Sequence, residues 1–379
     1  MDVVRYRYRL RPGATAMAGL LAEWDRCRWV WNRAVERLNE TGEWVRDNTL
    51  TDWRREHDWL GEGSVVAQQQ MLRNFRSKRA KGKGRRKFKS GKRCLPSLNY
   101  TKRGFALRDG RLCLAGGLCI PVVWSRQLPA EPSSVRVFRD SIGHWYASFV
   151  VQRQGRVLPA CDRSIGVDWG VRAVAITTDP EYDLAHPEHG RRAANELARG
   201  QKTMARRRPA RGERASKGYL GAKRVVAKLS KKVARQRQDS ARKWATKVVA
   251  NHGVLAVEDF KPKFLAKSRM ARKSADGAIG TTKATLIEYA QRAGRKVVLV
   301  PPAYTTMTCS GCGARAKSRL LLSQRVFVCE SCAMVQDRDR NAARVILDRA
   351  GLNPAGVEAV RHSDLPEIRV LAEPGIPAL

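Results

Sequence analysis

Four cysteines carry the most definite chemistry in the chain. Cys309-Ser-Gly-Cys312 and Cys329-Glu-Ser-Cys332 are two Cys-x-x-Cys pairs separated by sixteen residues. Each such turn aims two thiolates at one ion, and two turns complete a tetrahedral zinc shell. A closed shell leaves no position for substrate or activated water, so the implied Zn²⁺ is structural. Gly311 and Gly313 supply the backbone freedom the tight turn needs. The remaining Cys27, Cys94, Cys113, Cys119 and Cys161 are scattered. They read as separate thiols in a reducing, cytoplasmic compartment.

Three acids make the second constellation. Asp168 ends the run SIGVD, Glu258 ends VLAVE, and Asp339 opens DRNAARVIL. Two short apolar strands and one helix start can bring three carboxylates to one spot if the strands are neighbours. Clustered carboxylates repel and raise one another's pKa values, so the arrangement calls for a divalent cation. Hard oxygen ligands select Mg²⁺ or Mn²⁺. Two such ions about 3.5–4 Å apart would activate water and stabilise the leaving oxygen of a phosphodiester. Spacing alone leaves Asp259 as an alternative to Glu258 and Asp337 as an alternative to Asp339.

Charge identifies the substrate class. Lys and Arg number 74 against 35 acids, a formal net charge of +39. A compact fold with that imbalance repels itself unless a polyanion neutralises it, and nucleic acid is the natural candidate. No stretch approaches the roughly 18 apolar residues of a membrane span, and no signal-peptide pattern opens the chain. Hydrophobic residues make up 43%, which excludes wholesale disorder. Arg235, Arg237, Arg242 and Lys243 lie on a long basic helix and are expected to serve phosphates.

The elements that must position these groups read as an α/β multidomain chain. Residues 1–10 alternate as a strand, with Arg5, Arg7 and Arg9 on one face and Val4, Tyr6, Tyr8 and Leu10 on the other. A helix from Ala14 to Thr41 places Leu20, Trp24, Cys27, Trp31 and Ala34 at helical spacing, and a second covers about 64–79. The run 76–93 is a basic, glycine-punctuated arm. Strands are expected at 104–108, 111–114, 118–124, 135–139 and 144–152, giving a β-rich platform with a helical insert. Beyond Ser164 come a strand–turn–strand, a stretch at 180–215 with no clear strand, and a basic helix over 219–251. Strands at 254–260 and 296–302 flank a helix near 281–293. The cysteine block and a helix opening near Arg338 follow.

These motifs resemble the TnpB family, the OrfB-type proteins of bacterial insertion sequences and ancestors of type V CRISPR effectors. The likeness rests on Gly-Val-Asp168-Trp-Gly, Val-Glu258-Asp-Phe, the cysteine pairs, and Asp337-Arg-Asp339-Arg-Asn341-Ala-Ala. It implies an RNase H-like RuvC nuclease interrupted by the four-cysteine zinc element, a guide RNA, and a double-stranded DNA target cut with Mg²⁺. By motif match, Asp168, Glu258 and Asp339 take the metal-binding positions. The implied division is a wedge-like, barrel-like platform (1–13 and 95–155) and a helical recognition insert (14–94). A RuvC-like nuclease (164–303 and 337–350), a zinc element (304–336) and a flexible tail (351–379) complete it. Gln68, Gln69 and Gln70 are suggested as readers of a motif beside the target. Two features depart from the family: Trp169 stands where smaller residues are common, and 180–215 lacks the third strand an RNase H fold needs. The competing functions are an RNA-guided repressor that does not cut, and an RNA-independent nuclease or transposase.

Overall fold

The computed structural model of the chain describes residues 2–77, 86–91, 93–155, 157–210, 212–318, 320–321 and 323–352. Nearly all of the expected tail and the centre of the basic arm lie outside these residues. The chain divides into two compact units at Gln154/Gly155.

The first unit begins with β1 (Asp2–Leu10), whose alternation is realised: Val4, Tyr8 and Leu10 are buried while Arg5, Arg7 and Arg9 are exposed. After α1 (Ala14–Thr41), α2 (Asp47–Glu56), α3 (Asp58–Gly61) and α4 (Val65–Ser77) come β2 (Ser97–Thr101), β3 (Phe105–Arg108), β4 (Arg111–Leu114), β5 (Leu118–Val123), β6 (Ser134–Arg139) and β7 (Trp145–Arg153). The sheet order is β2-β6-β7-β1-β5-β4-β3, every pair antiparallel. Its two edge strands, β2 and β3, are joined by a single helical turn, Lys102–Gly104, so the sheet comes close to closing on itself. Trp24, Cys27, Trp31 and Ala34 of α1 enter the core with Leu72 and Phe75 of α4, as the helical spacing predicts. Gly42 ends α1 in a left-handed conformation (φ 72°), its amide donating to the Leu38 carbonyl. The sequence reading missed α2, α3 and β2. Within α2 and α3 only Leu50, Trp53 and Leu60 are buried, too few to show a period.

Two expectations for this unit are corrected. Cys113 and Cys119 are not separate thiols: they sit opposite each other on β4 and β5 and are joined by a disulfide. Gln68 is not a surface reader. It is fully buried, its Nε2 donating to the Leu60 carbonyl (2.9 Å) and its Oε1 accepting from Arg54 (2.7 Å). A guanidinium drawn into the interior needs such partners, and α4 supplies one. Gln69 and Gln70 are half-buried.

The second unit holds β8 (Ser164–Trp169), β9 (Ala173–Thr177), β10 (Leu184–Ala185), α5 (His189–Arg192), α6 (Ala194–Arg206), α7 (Lys217–Asn251), β11 (Val254–Glu258), α8 (Ala271–Gly277), α9 (Ile279–Arg292), β12 (Lys296–Val300), β13 (Val326–Val328), β14 (Val335–Asp337) and α10 (Arg338–Arg349). Its sheet runs β10-β9-β8-β11-β12: β9 is antiparallel to both β10 and β8, and β11 and β12 continue parallel to β8. The third strand missing from the sequence reading is β10, two residues long and too short for any periodicity. Ile165, Val167, Leu255, Val257 and Val297 face one core with Trp244, Val248 and Leu286. On the other face Ala256, Val298 and Val300 pack against Ile346 of α10. Strands covered on both faces read as continuous apolar runs, which is why SIGVD and VLAVE stood out.

Candidate active site and metal centre

The parallel register of β8 and β11 pairs Val167 with Val257, so the next residues, Asp168 and Glu258, lie side by side at the carboxyl ends of adjacent strands. That is where open parallel sheets gather their ligands. Asp168 is 7% exposed and Glu258 5%. Burial pushes the Asp168 carboxyl well above its ordinary range, and the neighbouring charges of Glu258 and Asp339 push it further. Glu258 is raised to about 7 by burial, against the opposing pull of the Trp169 amide, Lys283, and hydrogen bonds from Asp168 and Thr305. The two carboxyls share a hydrogen bond. They therefore cannot both ionise cheaply without a cation. Trp169 is part of the scaffold: its indole N–H donates to the Glu258 backbone carbonyl at 3.1 Å, bridging the two strand ends. The Thr305 hydroxyl reaches Glu258 Oε1 at 3.5 Å.

Asp339 arrives on α10, and a glycine sets how close that helix comes. A Cβ at Gly166 would lie 2.1 Å from the Ala343 carbonyl oxygen, so only glycine lets α10 cross β8 at this distance. Asp337 accepts the Asp339 and Arg340 amides at 3.0 and 2.9 Å; it is the helix N-cap. Asp259 pairs with Lys283 at 2.6 Å. Both alternative acids therefore have structural partners. Asp339 Oδ2 lies 3.5 Å from Arg325. Arg340 fixes the first turn of α10 through a two-pronged pair with Asp183 (3.0 and 2.7 Å), whose Oδ1 also accepts the Thr177 amide.

The cysteine block forms two matched turns. Cys309 and Cys329 accept the amides of Gly313 and Ala333 on their carbonyls, both at 3.0 Å, and those two residues are left-handed (φ 74° and 54°). The Sγ atoms of Cys309 and Cys332 are 3.7 Å apart, those of Cys312 and Cys329 3.6 Å. Four sulfurs around zinc at about 2.3 Å span edges of about 3.8 Å, so the cluster fits a structural Zn²⁺. Cys329 is drawn down to about 6 by the Cys332 amide, with the Ser331 amide adding to it, against the opposing effect of burial. Among the described residues, these four are the only set of three or more donors all within 4.8 Å of one another. The three carboxylates are less tightly gathered. The fully buried Asn341 ties the cysteine block to α10: its Nδ2 donates to the Thr308 carbonyl (2.6 Å), and its Oδ1 accepts from the Ser310 amide (2.9 Å) and Gln336 (2.6 Å).

The expected phosphate-binding residues differ in position. Arg237 is half-buried and bonded to Asp276 at 2.9 Å; that carboxylate also accepts the Gly190 and Arg191 amides. Arg235 and Arg242 are exposed, and Lys243 pairs with Asp239 at 2.8 Å on the exposed face of α7. Sequence reasoning gave no role to Gly166, Thr305, Lys283 or Arg340; Gly166 and Arg340 lie inside the quoted motifs, whereas Thr305 and Lys283 carry no local signal beyond their residue type.

Two family models match the chain: "Probable transposase" over residues 150–269 and "Cas12f1-like, TNB domain" over residues 280–346. A curated relative from Streptomyces pristinaespiralis, "Putative RNA-guided DNA endonuclease", is 30% identical over 92% of this chain and 89% of its own. The Escherichia coli (strain K12) protein "Putative RNA-guided DNA endonuclease InsQ" is 27% identical over 90% of this chain and 91% of its own. A solved structure, "Cryo-EM structure of the Cas12f1-sgRNA-target DNA complex", shares the fold with a TM-score of 0.57 at 14% identity, covering 89% of this chain and 83% of that one. No helix among the described residues is long and apolar enough to cross a membrane.

Proposed function

The chain belongs to the TnpB family, and on that premise we propose that it is an RNA-guided DNA endonuclease acting in the cytoplasm for a transposon or CRISPR-like locus. Its catalytic part is an RNase H-like RuvC domain, a reading supported by the β10-β9-β8-β11-β12 order with one antiparallel half and one parallel half. The observation that carries the proposal is the buried, proton-sharing pair Asp168 and Glu258, with the Asp339 helix seated over Gly166 beside it. Asp168, Glu258 and Asp339 would hold Mg²⁺, which supplies charge neutralisation and an activated water at a phosphodiester.

The chain's own groups supply the rest. Lys283 and Thr305 bias Glu258 toward its ionised, ligating form. Arg340 and Asn341 hold α10 so that Asp339 stays in reach. The zinc block stiffens the base of that helix and takes no part in chemistry. The platform and its helices would grip an RNA–DNA heteroduplex by shape and backbone, while base pairing supplies sequence.

The test is purification with the flanking genomic sequence present. A discrete co-purifying RNA, and Mg²⁺-dependent cutting of a plasmid matched to it, are expected. Protein free of RNA that still cuts DNA would overturn the reading.

A further inference from the structure

Downstream of Glu258 the chain reads FKPKFLAKSRMARK over 260–273, six cations and no acid. Phe260 packs against the core of the second unit. Pro262, with its φ fixed, opens a helical turn over Pro262–Lys267. Ser268 closes it: its hydroxyl donates to the Leu265 carbonyl at 2.8 Å and accepts the Met270 amide at 3.2 Å. The turn is thus held in shape by its own bonds. It presents Phe264 to solvent, 63% exposed. That ring meets Phe260 at 5.5 Å and 76°, an edge contact that leaves at least one face of Phe264 open. Lys261, Lys267, Arg269, Arg272 and Lys273 are all exposed along the same segment.

An open aromatic face on a rigid turn, surrounded by cations, matches what a nucleotide offers: a flat base with a phosphate on either side. Duplexes keep base faces covered by their neighbours, so the fitting partner is a single strand. Phe264 lies six residues past Glu258, no more than about 20 Å along the chain. We propose that Phe264, braced by Phe260 and flanked by Lys261, Lys267 and Arg269, is a stacking platform for a base of single-stranded nucleic acid. Its role in guiding that strand to the carboxylates rests on the nuclease reading above; the stacking itself does not.

The experiment compares binding of full-length protein to two fluorescent oligonucleotides of equal length, one of deoxythymidine and one of abasic deoxyribose phosphate. Phosphate contacts are common to both, so their affinity ratio isolates the base. The wild type is expected to prefer deoxythymidine by about 5- to 150-fold, the range of one stacked base. Phe264→Ala should bring the ratio toward one, and Phe264→Trp should restore it. A ratio that is near one in the wild type, or unchanged in Phe264→Ala, overturns the proposal. Guided plasmid cutting is assayed in parallel. A wild type that never cuts but shows the Phe264-dependent ratio refutes the nuclease reading and leaves the platform standing.

Discussion

Gly166→Ala is the sharpest perturbation of the site that touches none of its acids. The added methyl would sit 2.1 Å from the Ala343 carbonyl oxygen and 3.1 Å from both Leu347 Cβ and Thr178 Cγ2. Ordinary carbon contacts begin near 3.5 Å, so α10 must recede from β8 by roughly an ångström. The nearest obstacle is backbone, and no rotamer change relieves it. Overpacking of this kind costs about 1–3 kcal/mol. For a unit of this size that lowers Tm by roughly 2–12 °C. The larger effect falls on chemistry, because Asp339 rides on the displaced helix and an ångström of misplacement can cost on the order of 100-fold in rate. Single-turnover cutting of a guide-matched plasmid, with Tm measured on the same sample, reads both numbers. Wild-type rate and Tm in Gly166→Ala would refute the claim that this close approach sets the carboxylate geometry.

Other substitutions separate scaffold from chemistry. Asn341→Ala removes three hydrogen bonds, two from α10 to the first cysteine turn and one from Gln336 of β14. It should cost about 2–4 kcal/mol and hasten zinc loss to a chelator, followed with a colorimetric zinc indicator. Gln68→Ala leaves Arg54 and the Leu60 carbonyl short of a partner; a loss of about 1–3 kcal/mol in denaturant melts is expected, with target-adjacent sequence preference unchanged. Because the folded pKa of Glu258 is raised from 4.5 to about 7, the cation-free protein holds that proton more tightly than the unfolded chain does. Its contribution is fully present below the unfolded value and is lost as pH rises toward 7. Magnesium needs the ionised form, so its stabilisation should grow over the same window, and Glu258→Gln should flatten both trends in melts run across pH.

The strand ends were legible because SIGVD and VLAVE are covered on both faces and read as unbroken apolar runs ending in an acid. The cysteine block was legible because zinc demands four thiolates at short spacing. Preferring Asp339 over Asp337 required the resemblance; what three dimensions add is that Asp337 caps α10 with its carboxylate. Gln68 misled because three consecutive glutamines look like a solvated face. What turned it inward was Arg54, on a helix whose few apolar residues gave no period. β10 was invisible at two residues, yet the neighbouring Asp183 anchors Arg340. Cys113 and Cys119 look scattered in sequence and become partners only through the β4–β5 register.

The central claim is that three carboxylates on β8, β11 and α10 act as one metal site on target DNA. Guide-directed plasmid cutting by Asp168→Ala, Glu258→Ala and Asp339→Ala ribonucleoproteins, each checked for bound RNA and Tm, tests it most directly. The account predicts that all three lose Mg²⁺-dependent cutting while keeping RNA and a folded state. Undiminished cutting by any one of them would contradict it.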